Sequence, residues 1–367
     1  MERPIFKPIG TPVEELDTPA LTLDMGVFEK NLQIVHSFFK KSDAKLRPYV
    51  GTHRTPALAH KQLAAGGTVG GVAVGTVGQA EVFVNAGVND VLITTVIPMQ
   101  SKAARIVALA HRATMTVVVD NVANIDVLSK AAKAGGVTLN VAVDVHTRLN
   151  GTGVEPGKPA VDLAQQVAKA DGLEFAGFHS YEGAIPGNGE AVAKESRKWI
   201  QKVLDTREAA EKAGLDVKSV VVGGTHNYDI AAGMKGVTEV PAGTYALLDE
   251  RYRTQRSELK SAASIMATII STPASNVAVG DAGMKSCGND TGLPGIPGRP
   301  DLSISYLSAE HTNFIMDKAE RPFTLGEKVR LTPWEIAVTC NLYDYMMAVR
   351  NGKLEAILDV TARGRYR

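Results

Sequence analysis

"LRPYVGTHRTPALAHKQLAAG", residues 46–66, sets a short apolar run against an alanine-rich one. Leu46 to Val50 read as a strand. Pro56 suits the first turn of a helix, where its missing N–H costs nothing, and the apolar positions after it recur at helical spacing. A strand feeding straight into a helix is the repeating unit of a parallel sheet. Strand-like runs recur at 71–74, 90–95, 115–120, 139–145, 173–180, 217–224 and 237–245. Helical stretches lie among them, at 77–87, 99–113, 122–135 and 158–170. Eight such units predict a (β/α)8 barrel. The rival is an open doubly wound sheet, which the lack of a G-x-G-x-x-G after the first strand disfavours.

Past residue 255 the texture changes. "SAASIMATIIST" (261–272), "NVAVGDAG" (276–283), "LSISYLSAEH" (302–311) and the stretch 327–360 read as strands joined by Gly, Pro and Asn turns. The predicted organisation is an N-terminal segment over 1–25 packed with a β domain, a barrel over 26–250, and a mainly β domain over 251–367. The fold class is therefore α/β: a (β/α)8 barrel followed by a mainly β C-terminal domain.

Charge is nearly balanced, with 40 basic and 39 acidic residues, so no nucleic-acid partner is expected. Two cysteines, Cys287 and Cys340, are too few for a disulfide framework and match no metal spacing. The N-terminal stretch does not read as a signal peptide, and no apolar run is long enough for a bilayer. A cytoplasmic protein with a small-molecule substrate and no membrane is the expectation.

Several words, in order, carry a resemblance. They are "LDTPALTLD" (16–24), residues 46–66, "FHSYEG" (178–183), "VVGGTHNYD" (221–229), "VTEVPAGTYALLD" (237–249), "DAGMKSCGNDTGLP" (281–294) and "SAEH" (308–311). The ordered set resembles the D-threonine aldolase and D-serine dehydratase-like family, within the alanine-racemase-type, fold-type III pyridoxal-phosphate enzymes. The resemblance implies the barrel-plus-β fold, pyridoxal phosphate, a divalent metal and a homodimer whose β domain faces the partner's barrel.

The chain departs from the family where the chemistry lies. The family word resembles R-P-H-x-K-T-H-K, with the lysine forming a Schiff base. Here Arg47-Pro48-Tyr49-Val50-Gly51-Thr52-His53-Arg54 stands instead, and Gly51 has no amine. Lys45 lies six residues back, roughly 20 Å along a strand. The arginine expected in the family's D-V-G-x-x-R-x-G-V word falls at Gly151, with Arg148 as a nearby substitute. The phosphate-type turn reads Gly223-Gly224-Thr225-His226-Asn227. Glu335 and Ala337 occupy the family's metal word.

Of the eight histidines, His53, His146, His179 and His226 fall at or just past predicted strand ends, which converge on one mouth in a closed barrel. Neutral imidazole is a common transition-metal ligand. The expected metal set is His146, His179, His226 and Glu335. His53, Tyr181 and Glu182 are the expected acid–base groups. Arg54, Gly51, Gly224 and Thr225 are expected to bind substrate, with space freed at Gly51 for metal, water or substrate.

These expectations describe a metal-dependent lyase. It would cleave, or dehydrate, a small β-hydroxy acid or β-hydroxy amino acid without a pyridoxal-phosphate Schiff base. The alternatives are a non-catalytic small-molecule-binding relative and an ordinary pyridoxal-phosphate enzyme with an engineered Gly51.

Overall fold

The computed structural model describes residues 6–149 and 151–367. Residues 1–5 of the predicted N-terminal segment and Asn150 lie outside them. In chain order the strands are β1 (Ala20–Asp24), β2 (Lys45–Leu46), β3 (Val72–Val74), β4 (Asp90–Ile93), β5 (Thr114–Val119), β6 (Leu139–Asp144), β7 (Leu173–His179), β8 (Ser219–Val221) and β9 (Glu239–Val240). They continue as β10 (Ala263–Ala274), β11 (Val277–Gly280), β12 (Ser303–Leu307), β13 (Thr312–Ile315), β14 (Lys328–Leu331), β15 (Tyr345–Arg350) and β16 (Lys353–Asp359). The helices are α1 (Met25–Lys41), α2 (Pro56–Ala64), α3 (Val77–Asn85), α4 (Gln100–Ala110), α5 (Val122–Gly135), α6 (Lys158–Lys169), α7 (Glu190–Lys212), α8 (Tyr228–Ala232) and α9 (Ile336–Cys340). None of the helices among the described residues is long and apolar enough to cross a membrane.

Two compact units emerge among the described residues: 34–51, 56–149, 151–243 and 364–367 form the barrel unit, and 6–33, 52–55 and 244–363 the β unit. The barrel strands run in the order β2-β9-β8-β7-β6-β5-β4-β3, with every neighbour parallel. Isolated bridges Leu46↔Thr68, ahead of β3, and Tyr49↔Ala73, within it, close the circle. The sequence predicts a strand over 46–50. Pro48 has no N–H to donate toward β3, yet its carbonyl accepts from Ala73 N–H at 2.8 Å, and Arg47 N–H keeps the rung to Val240 O at 3.0 Å. Val50 N–H still reaches Ala73 O at 3.0 Å, and Tyr49 N–H reaches Ala242 O at 2.9 Å.

Arg47 holds this seam. Its Nε donates to Glu239 Oε2 at 2.5 Å and its Nη1 to Asp90 Oδ1 at 3.0 Å, tying the starts of β9 and β4 to the end of β2. Inside the barrel, Ala73, Leu92, Val118, Ala142 and Val221 form one buried layer, with Tyr49 and Val96 packed on it.

In the β unit the path is β12-β13-β11-β10-β1-β15-β16, and β14 also pairs with β10. β1 is antiparallel to β10 and parallel to β15. Val13, Leu16, Ala20, Met266, Val349 and Leu354 form one buried cluster there. Cys287 and Cys340 are buried thiols that burial pushes up to about 12, so both behave as small apolar side chains.

Asp249 accepts N–H bonds from Tyr252 (3.3 Å) and Ile336 (3.2 Å). Burial, more than any other influence, pushes its carboxyl up from 3.8 to about 7. The native state therefore holds a proton that the unfolded chain releases between those values. The associated stability is full below the unfolded value and is lost as pH rises through about 7. Asp249→Asn should shrink the fall in melting temperature between about pH 5 and about pH 8. An unchanged fall, measured by thermal denaturation at both pH values, would contradict this.

Arg47→Ala should destabilise the barrel by roughly 3 kcal/mol, the low end for a broken buried pair, because Asp90 is partly exposed. Urea unfolding with no change in midpoint would show that the seam does not need the clamp.

Candidate active site

β6 and β7 are adjacent parallel strands, and Asp144 pairs in register with His179 at their C-terminal ends. In-register neighbours on parallel strands point the same way. The two side chains therefore meet, with His179 Nδ1 2.8 Å from Asp144 Oδ1, and both are buried. Thr152 Oγ1 donates to the other carboxylate oxygen at 2.8 Å. A carboxylate can only accept, so the proton sits on Nδ1 and Nε2 is left as the basic nitrogen. This arrangement orients an imidazole to take a proton.

A second cluster lies after β7 and β8. Glu182 is buried; Asn227 Nδ2 donates to its Oε1, and Gly223 N–H donates to its carboxyl. Burial is the largest influence on that carboxyl and raises its pKa. His226 Nε2 lies 3.7 Å from Glu182 Oε1. Asn227 also accepts from Gly224 N–H at 2.9 Å and donates to Ser196 Oγ at 3.0 Å. Arg148 donates to the carbonyls of Glu182 (3.0 Å) and Ala184 (2.8 Å). The ring of half-exposed Tyr181 lies 3.3 Å from where a Cβ on Gly224 would stand, and Thr225 is buried.

Position 51 differs from the sequence expectation. A Cβ on Gly51 would lie 2.9 Å from Tyr49 Cε1 and 3.1 Å from Gln79 Oε1. The space is taken by Tyr49 and Gln79, which corrects the expectation that it is freed for metal, water or substrate. Gly51 lies in the turn that follows, and the tyrosine ring leans over it. The tyrosine hydroxyl would lie 2.8 Å from a Cβ on Gly75, and Gly75 N–H donates to Gln79 Oε1 at 3.0 Å. Lys45 is engaged by the carbonyls of Phe39 (3.3 Å) and Ser42 (2.5 Å).

The expected metal set also needs correction. Among the described residues no three His, Cys, Asp or Glu side chains are grouped to hold a metal ion. His179 is turned to Asp144 and His226 to Glu182, while Glu335 lies 3.6 Å from Arg251 in the β unit. His146 is half-buried in the loop after β6, and its backbone N–H donates to Val154 O at 2.8 Å. His53 and Arg54 belong to the β unit, where Arg54 Nη1 donates to Asn341 Oδ1 at 2.6 Å and Thr55 N–H to His53 Nδ1 at 3.1 Å. The predicted Arg54 carboxylate clamp is thus already engaged within the protein.

Comparison with known proteins fits this architecture. The family model for the alanine racemase N-terminal domain matches residues 23–249, and that for the serine dehydratase domain matches residues 262–349. A D-threonine aldolase of Arthrobacter sp. is 31% identical over 361 residues, covering 97% of this chain and 95% of that protein. A 3-hydroxy-D-aspartate aldolase of Paracoccus denitrificans (strain Pd 1222) is 31% identical over 368 residues, covering 97% and 94%. The crystal structure of D-threonine aldolase from Filomicrobium marinum superposes with a TM-score of 0.95 at 34% identity, covering 98% of this chain and 99% of that one. The chain belongs to the D-threonine aldolase and D-serine dehydratase-like family of fold-type III enzymes, a family of lyases.

The D-threonine aldolase-like family implies pyridoxal phosphate, and the residues of this chain do not fit it. Position 51 offers no amine, and its side-chain path is closed by Tyr49 and Gln79. The glycine turn gives its N–H groups to Glu182 and Asn227. Among the described residues, no three His, Cys, Asp or Glu side chains group to hold a metal ion either. The sequence gives no local signal for the roles of Gln79, Ser196 and Asn227, whose partners lie on other elements.

Gly75→Ala should destabilise the protein by about 1–3 kcal/mol through overpacking against the tyrosine hydroxyl. Adding Tyr49→Phe should recover most of that loss, since the nearest ring carbon is 4.0 Å from the new methyl position. Equal losses in the single and double variants, by urea unfolding, would place the hydroxyl elsewhere.

Proposed function

We propose that the protein is a lyase acting on a small β-hydroxy acid or β-hydroxy amino acid, with the His179–Asp144 pair as general base and no internal aldimine. The observation that carries this reading is that pair, in register at two strand ends and buried. His179 Nε2 takes the proton of the substrate β-hydroxyl, and Asp144 stabilises the imidazolium that forms. As the Cα–Cβ bond breaks, the oxygen left on Cβ becomes the carbonyl of an aldehyde. The electron pair of the broken bond passes to the carboxyl or carbonyl group beside Cα. The proton held by His179 then returns to Cα. Dehydration would use the same nitrogen to remove the Cα proton while hydroxide leaves Cβ. Glu182 is a second candidate acid, because burial keeps its carboxyl protonated to higher pH than usual.

One observation favours the reading of a non-catalytic binder. Arg148, Glu182 and Asn227 all spend hydrogen bonds on other parts of the protein.

His179→Gln and Asp144→Asn should each lower turnover by roughly a hundredfold to ten-thousandfold. The assay is aldehyde or 2-oxo acid release from a panel of β-hydroxy acids and β-hydroxy amino acids. Turnover unchanged in both variants would remove the pair from the mechanism, and no turnover by the wild type would favour the binder.

A further inference from the structure

We propose that the barrel mouth of this chain is filled from within at both ends of the place where a fold-type III enzyme would hold pyridoxal phosphate, so that none is retained, covalently or otherwise. This goes beyond the lyase reading, because a cofactor held without a Schiff base would leave the roles of His179 and Asp144 intact.

At the lysine end, the contacts of Gly51 already exclude even a methyl group without movement. The nearest atoms are Tyr49 Cε1 at 2.9 Å and Cζ at 3.1 Å, with Gln79 Oε1 at 3.1 Å. The ring is not a loose tip that swings aside at no cost. It packs on the buried barrel layer of Ala73, Leu92, Val118, Ala142 and Val221, and its hydroxyl nests against Gly75, where a Cβ would stand 2.8 Å away. Gln79 is buried at the start of α3 and is anchored by Gly75 N–H. A lysine side chain at 51 would have to displace both.

At the phosphate end, a glycine turn attracts an anion through N–H groups that lack other acceptors. Here the acceptors come from the protein. Gly223 N–H serves the Glu182 carboxyl, and Gly224 N–H serves Asn227 Oδ1. Asn227 in turn is fixed by Glu182 and Ser196. The His226 ring fills the next space, with Nδ1 3.4 Å from where a Cβ on Gly224 would stand. An incoming phosphate would meet a buried carboxyl group where donors are needed, and any ionised fraction of it would repel the dianion in a low-dielectric setting. Arg148 is directed at two carbonyls. Tyr49 and Glu182 thus stand as the internal occupants of the two ends.

The test is equilibrium dialysis of the full-length protein against pyridoxal phosphate, read by bound cofactor and by the visible aldimine absorbance. Four proteins are compared: wild type, Gly51→Lys, Tyr49→His/Gly51→Lys, and Tyr49→His/Gly51→Lys/Glu182→Ala. Thermal unfolding of each identifies any that fails to fold. Wild type and Gly51→Lys should retain no cofactor and show no aldimine band. The triple variant should retain cofactor at about tenfold or more above the background signal of Gly51→Lys. Stoichiometric retention by the wild type, or an aldimine in Gly51→Lys alone, would overturn the proposal. So would a folded triple variant that binds no better than Gly51→Lys. Lyase turnover of the wild type without added cofactor is measured separately, so failure of either reading can be told from failure of the other.

Discussion

The barrel closes at a short seam, and the chemistry of the mouth depends on how that seam is made. β2 is only two residues long, and Pro48 beyond it withholds one donor on the β3 side. Closure rests on the Arg47 clamp to Glu239 and Asp90 and on the backbone bonds of residues 46–50. Those bonds fix the direction of the chain as it leaves the barrel. They set Tyr49 inward over the layer that ends the core, and they bring Gly51 beneath its ring. A glycine is needed there because the tyrosine has taken the room.

The same principle of internal satisfaction governs the other side of the mouth. Buried polar groups must find partners, and the residues after β7 and β8 find them in one another. Glu182, Asn227, Ser196 and the turn at Gly223 form one connected set. Beside it, the Asp144–His179 pair has a different character: one nitrogen is oriented by a carboxylate and the other is left basic. The mouth thus combines a structural network with one chemically directed imidazole.

The fold was legible because its signal is periodic. Alternating apolar strands and alanine-rich helices located seven barrel strands, and in the β unit the predicted runs cover β10, β11, β12, β14, β15 and β16 but not β1 or β13. The first barrel strand is shorter than its apolar run because Pro48 fits a β-region backbone while withholding its donor. The site was legible only in part. His179 and Asp144 could be placed at strand ends, but their pairing depends on the register of β6 with β7, which no local pattern encodes. The metal set failed for a related reason: shared position at a barrel mouth does not determine where each ring turns once a nearer carboxylate competes for it. The filling of position 51 was hidden because a missing lysine looks like a vacancy in sequence, whereas packing leaves few vacancies in a core.

Lyase chemistry on this scaffold, as we propose it, proceeds without an imine between the protein and a cofactor. Borohydride treatment of the working enzyme, with turnover and intact mass measured afterwards, tests this most directly. Turnover should survive and the protein mass should be unchanged. Loss of turnover together with a reduced pyridoxyl adduct on any lysine would show instead that an imine carries the reaction.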